Sequence, residues 1–100
     1  MKLLISPGYG AGWSTWNFSE MATDKDLIEL FEKDCTCEEM ERLCIEKNYT
    51  DGYGRSPYMG GFKQLEIVEV PKGTLYRINE YDGAESVEIF SPDEWLIAEE

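Results

Sequence analysis

At 100 residues the chain is one domain's worth of sequence, too short for a two-domain dinucleotide enzyme yet able to bury roughly two thirds of its unfolded surface. It carries 9 Lys and Arg against 21 Asp and Glu, with no His, for a formal net charge of −12. That excludes imidazole chemistry of every kind and disfavours direct binding to nucleic-acid phosphates, while 42% hydrophobic and 13% aromatic residues exclude a disordered chain.

Met1–Ser6 (MKLLIS) is a short apolar run halted by Pro7-Gly8 and reads as a buried first strand. Pro7–Asn17 (PGYGAGWSTWN) has too many glycines for a regular element and too many aromatics for a plain linker, so it should fold back on the body. A helix is predicted from Thr23, with Asp24 and Asp26 in its first turn where the helix dipole favours carboxylates, and with Leu27, Ile28, Leu30 and Phe31 as its apolar stripe. Thr36 and Glu39 have the capping-box spacing that restarts a second helix, whose inner face takes Cys37, Met40, Leu43 and Cys44. Asn48–Gly61 (NYTDGYGRSPYMGG) is long for a connection in a compact domain and is marked as a second contact loop.

From Gln64 the pattern turns to strands: Leu65–Val70, a turn at Pro71-Lys72-Gly73, Thr74–Tyr81, a tight Asp82-Gly83 hairpin turn, and Glu85–Phe90. Ser91-Pro92-Asp93 breaks the run, and Trp95–Ala98 reads as a last short strand or an edge cover. The expected architecture is one α+β domain over residues 1–100, an antiparallel sheet of about four or five strands with two short helices packed on one face.

Candidate chemistry is sparse. Gly8, Gly10 and Gly12 follow a strand, but no helix begins inside the motif to offer its amides to a pyrophosphate, and there is no Gly-Lys-Ser/Thr for a P-loop. Cys35, Cys37 and Cys44 lack the paired Cys-x-x-Cys spacing and a fourth ligand, so they read as reduced, buried hydrophobes rather than a metal site. The odd cysteine count, and an apolar N-terminus too short for a signal peptide or membrane span, point to a reducing cytoplasm. Without His or a recognisable nucleophile, no enzyme activity, cofactor or metal is expected.

Two features point to binding. Glu66, Glu80, Glu85 and Glu88 alternate with apolar residues and are expected on the sheet face away from the core, where spaced carboxylates resemble duplex phosphates; the bland alternative is a solvated face that discourages aggregation. Trp13, Trp16, Tyr53 and Tyr58 in the glycine-rich loops are the expected anchors, since Trp and Tyr dominate interface hot spots.

Leu3–Asn17 (LLISPGYGAGWSTWN), Tyr58–Val70 (YMGGFKQLEIVEV) and Tyr76–Phe90 (YRINEYDGAESVEIF) resemble a family of small proteins encoded by bacteriophages and prophages. The resemblance implies a phage accessory protein, a class that includes acidic inhibitors of host defence, anti-CRISPR proteins and DNA mimics among them, and it carries no catalytic residue. The expected function is therefore inhibition of a host defence or nucleic-acid-handling protein by occupying its basic surface in the host cytoplasm. The competing expectation is a small-ligand binder, a sponge for a nucleotide signal, in which Arg55 or Lys63 meets the phosphate. A structural or assembly factor whose acidity serves only solubility is a third.

Overall fold

The computed structural model describes residues 1–90, so the strand or edge cover expected at Trp95–Ala98 lies outside the described residues. The fold is α+β, in the order β1 (Lys2–Ile5), α1 (Lys25–Glu32), α2 (Cys37–Glu46), β2 (Glu66–Glu69), β3 (Tyr76–Tyr81) and β4 (Ala84–Ile89). Short 3-10 turns at Ser19–Ala22 and Phe62–Gln64 lead into α1 and β2.

The expectation of a single sheet is corrected. β1 pairs antiparallel with β2, setting Leu3 opposite Val68 and Leu4 opposite Ile67, and β3 pairs antiparallel with β4 as a separate two-stranded sheet. The physical reason lies in β1, whose Leu3, Leu4 and Ile5 are all buried although successive side chains point to opposite faces. Leu4 joins Trp13, Met21, Leu27, Ile28 and Met40 in a core shared with the helices. Leu3 and Ile5 join Val70 in a second core, and Tyr76, Ile78 and Val87 of the β3–β4 hairpin pack against it. Extending the first sheet edgewise would leave that second face in water, where each Leu or Ile forgoes about 1.5–3 kcal/mol of burial. The hairpin lies over the face instead, so β1–β2 is the middle of three layers.

Local chemistry sets the element ends. α1 is capped by Asp24, one residue later than the expected start, with its Oδ1 accepting the Asp26 and Leu27 amides at 2.9 and 3.3 Å. The predicted capping box of α2 is complete: Thr36 Oγ1 accepts the Glu39 N–H at 3.2 Å and Glu39 Oε1 accepts the Thr36 N–H at 2.9 Å. Lys47, just past α2, reaches back to Asp24 Oδ1 at 2.8 Å and also binds Asp26, which pins the end of one helix to the start of the other. Asp82 and Gly83 have φ of 50° and 83°, the pair of positive values a two-residue hairpin turn of this type requires.

Candidate functional site

The two glycine-rich loops meet, the first of them lying against the tip of the β3–β4 hairpin. Gly10 N–H donates to Asp82 O at 2.6 Å and Gly12 N–H to Gly83 O at 2.8 Å, so loop 7–17 runs along the hairpin turn like a short extra strand. The approach is close enough that a Cβ on Gly83 would lie 2.8 Å from Ala11 N. Asn17 fastens the second loop to the first: its Oδ1 accepts the Tyr58 N–H at 2.9 Å, and its Nδ2 donates to Tyr58 O at 3.0 Å and Trp13 O at 2.7 Å. Tyr58 Oη adds a bond to Gly10 O at 2.6 Å.

This scaffold presents aromatic rings to solvent. Tyr9 and Tyr81 meet edge to face with centroids 6.3 Å apart, and Trp16 and Tyr58 meet at 5.5 Å. Tyr9 and Tyr81 are 73% and 76% exposed, Trp16 and Tyr58 44% and 47%. Gly10 links the two pairs, following Tyr9 in the chain, bonding to the hairpin through its N–H and to Tyr58 through its C=O. Tyr53 projects from the second loop, where the Arg55 guanidinium sits 5.2 Å from its ring centroid.

Between the loops lies an open groove of about 390 Å³ lined by Trp16, Phe18, Asp51, Pro57 and Tyr58 among others. Asp51 closes its own turn, accepting the Tyr53 and Arg55 amides on Oδ1 and Arg55 Nε on Oδ2 at 2.8 Å. The Tyr53 amide is the largest influence on the Asp51 carboxyl, and with Arg55 it holds the group below its ordinary value despite partial desolvation. Arg55, the cation expected to meet a phosphate, is thus already engaged by a carboxylate, while Lys63 stands exposed within the Phe62–Gln64 turn.

The four expected carboxylates do not form an array. Glu85 is only 2% exposed, which corrects its expected place on a solvent face. Its Oε1 accepts the Ser6 N–H at 3.0 Å, and its Oε2 accepts the Thr15 N–H at 2.9 Å and the Thr15 hydroxyl at 2.7 Å. Glu88 sits three residues on and so faces the opposite side of the hairpin, where Asn79 and Arg77 donate to it at 2.9 and 2.7 Å and hold its carboxyl below the ordinary value. Glu80, the cross-strand partner of Glu85, accepts the Gly83 N–H at 2.8 Å. Glu66 is exposed, but on β2 in the other sheet.

Among the expected anchors, Trp16, Tyr53 and Tyr58 are exposed. Trp13 is wholly buried, with its indole N–H on Met21 O at 3.2 Å, so its place as an anchor is corrected to a core residue. Reasoning from sequence missed Tyr81 and Asn17. Tyr81 carried a usable signal, because it directly precedes the Asp82-Gly83 turn and its strand parity is opposite to that of Ile78, which packs inward. Asn17 carried none.

The three cysteines are free thiols at the helical corner, Cys44 buried and Cys35 and Cys37 half-buried. Burial is the main cause that raises all three, Cys44 to about 12, so each stays protonated and poorly nucleophilic at neutral pH. Among the described residues no helix is long and apolar enough to cross a membrane. Comparisons of the chain with protein-family models, with curated proteins and with solved structures find no match.

Proposed function

We propose that this is a non-catalytic, phage-encoded binding protein that inhibits a host defence or nucleic-acid-handling protein by occupying a basic surface in the host cytoplasm. One observation carries the reading: Tyr9, Trp16 and Tyr58, on loops fixed by their own hydrogen bonds, stand exposed with Tyr81 at the end of β3. Water-exposed rings held in place at a loop cluster are what a protein interface uses as anchors, since little side-chain entropy remains to be lost on binding. The net charge of −12 selects a cationic partner and speeds the encounter.

The contact residues are Trp16, Tyr53 and Tyr58, joined by Tyr9 and Tyr81, with Glu66, Glu80 and Glu88 as surrounding charge. Glu85 and Trp13 have no part in it. Regular phosphate-like spacing is not part of the proposal, because Glu85 is buried, Glu88 faces the other side of the hairpin and Glu66 lies on the other sheet. Aromatic anchors supply the affinity and diffuse negative charge supplies the direction.

The test is to capture a partner from bacterial lysate, purify it, and titrate it calorimetrically at about 0.05 and 0.5 M salt. Affinity should fall with salt, and a Trp16→Ala/Tyr58→Ala variant with unchanged circular dichroism should lose about tenfold or more. Affinity that is indifferent to both changes, or thermal stabilisation by nucleotides with no protein captured, overturns the proposal.

A further inference from the structure

We propose that the groove between the two glycine loops is a receptor for an arginine side chain of the partner, and that Arg55 occupies its carboxylate in the free protein. The inference rests on the binding function above and specifies what the site grips. The groove offers two kinds of group side by side: the aromatic surfaces of Trp16 and Tyr58, and the Asp51 carboxylate. A guanidinium uses both at once, because it is planar, stacks on a ring and bonds a carboxylate through its edge.

The chain already displays this mode of contact. Arg55 donates from Nε to Asp51 Oδ2 at 2.8 Å while its guanidinium carbon lies 5.2 Å from the Tyr53 centroid. That Arg side chain is 73% exposed and is not among the groove's lining residues, so it approaches Asp51 from outside and leaves the ring surfaces uncovered. An exposed pair four residues apart is weak and readily exchanged. An incoming arginine would replace Arg55 on Asp51 and gain the Trp16 and Tyr58 surfaces that Arg55 does not reach.

Other ligand classes fit less well. A quaternary ammonium wants rings that encircle it, but Trp16 and Tyr58 already contact one another with centroids 5.5 Å apart. A phosphate or carboxylate would face Asp51. Lysine matches the charge but has neither the plane nor the fork.

The test is calorimetric titration of the full chain with hexa-arginine and hexalysine. Hexa-arginine should bind about fivefold or more tightly than hexalysine. Asp51→Asn, which retains an acceptor for the Tyr53 and Arg55 amides, should abolish that preference. Arg55→Gln should strengthen hexa-arginine binding selectively, whereas Arg42→Gln, the same charge change on the exposed side of α2, should strengthen both peptides alike. Equal affinity for the two peptides, or identical behaviour of Arg55→Gln and Arg42→Gln, overturns the arginine receptor. If the peptides are not distinguished but Trp16→Ala/Tyr58→Ala still releases the captured partner, the binding function stands without the receptor. If the arginine preference holds while the partner ignores those two rings, the receptor stands and the binding function falls.

Discussion

Thr15 donates both its backbone N–H and its hydroxyl to one oxygen of Glu85, 70 positions further along the chain, at 2.9 and 2.7 Å. The other oxygen takes the Ser6 N–H, so one buried carboxylate holds the end of β1 and the first glycine loop against β4. Among the described residues no Lys or Arg pairs with it. Its charge is met by donors alone. Glu85→Ala would strand two amide donors, each at about 1–3 kcal/mol, a substantial part of the roughly 5–15 kcal/mol that holds a domain together. Glu85→Gln should fall between, since one oxygen can still accept while its NH₂ confronts other donors. Urea unfolding measures this. An alanine variant within about 0.5 kcal/mol of the parent would show that the carboxylate does not hold the loop.

Two glycines of equal φ should respond differently to alanine. Gly73 and Gly83 both have φ of 83°, but a Cβ at Gly73 meets open space, whereas at Gly83 it meets Ala11 N at 2.8 Å and Gly10 at 2.9 Å. Gly73→Ala should cost only the left-handed penalty of about 1–2 kcal/mol. Gly83→Ala should cost more and displace loop 7–17 as well. Comparing the two melting temperatures checks this, and equal depressions would mean that the loop does not rest on the hairpin turn.

Features whose causes lie within a few residues were legible in the sequence. The Thr36–Glu39 box needs only three-residue spacing, and Asp82-Gly83 needs only two residues that tolerate positive φ. Residues whose role depends on distant parts of the chain were not. Trp13 and Trp16 share a loop and a composition, and only the position of Met21 and the helices decides which ring is buried. Glu85 looks like any strand glutamate until the donors of Ser6 and Thr15 are brought to it. One part of that error was avoidable: Glu85 and Glu88 are three residues apart, so on a strand they cannot share a face. The division into two sheets was legible in principle too, because MKLLIS has no polar alternation and therefore needs cover on both sides.

The helical corner predicts the pH range of stability. Burial is the largest single influence on Asp24 and pushes its carboxyl up, but bonds from Lys47, Tyr49 and the Leu27 and Asp26 amides together outweigh it and leave the group below its ordinary 3.8. Its stabilising contribution is therefore complete above about 3.8 and is lost as pH falls through the lower folded value. Tyr49 moves the other way: burial first, then its bond to Asp24, raises it from 10.0 to about 12, so its contribution is complete below 10.0 and is lost as pH rises through about 12. Lys47, raised chiefly by its hydrogen bond to Asp24, likewise contributes fully below 10.5. In urea midpoints measured across pH, Asp24→Asn should flatten the acid limb and Tyr49→Phe the alkaline limb. Limbs that run parallel to the parent's in both variants would show that these groups carry no linkage.

Asn17 permits a test of the site separate from the fold. Its side chain spans the two loops with one accepted and two donated bonds, and at a net worth of about 0.5–1.5 kcal/mol for each, Asn17→Ala should leave the molecule folded. The second loop, however, loses its side-chain tie to the first at Tyr58 N and O. Hydrogen exchange should then quicken at Tyr58 and across the 50–60 segment while the amides of α1 and α2 keep their protection. Asn17→Asp should be worse than alanine, because it still accepts from the Tyr58 N–H but sets a carboxylate against the carbonyls of Trp13 and Tyr58. Both variants should weaken partner binding, since Trp16 and Tyr58 would no longer be held side by side before the encounter and their ordering would have to occur on binding. Exchange that stays slow at Tyr58 in the alanine variant would mean that the Trp16–Tyr58 ring contact and the Tyr58 Oη–Gly10 bond suffice to join the loops, and partner affinity should then survive the substitution.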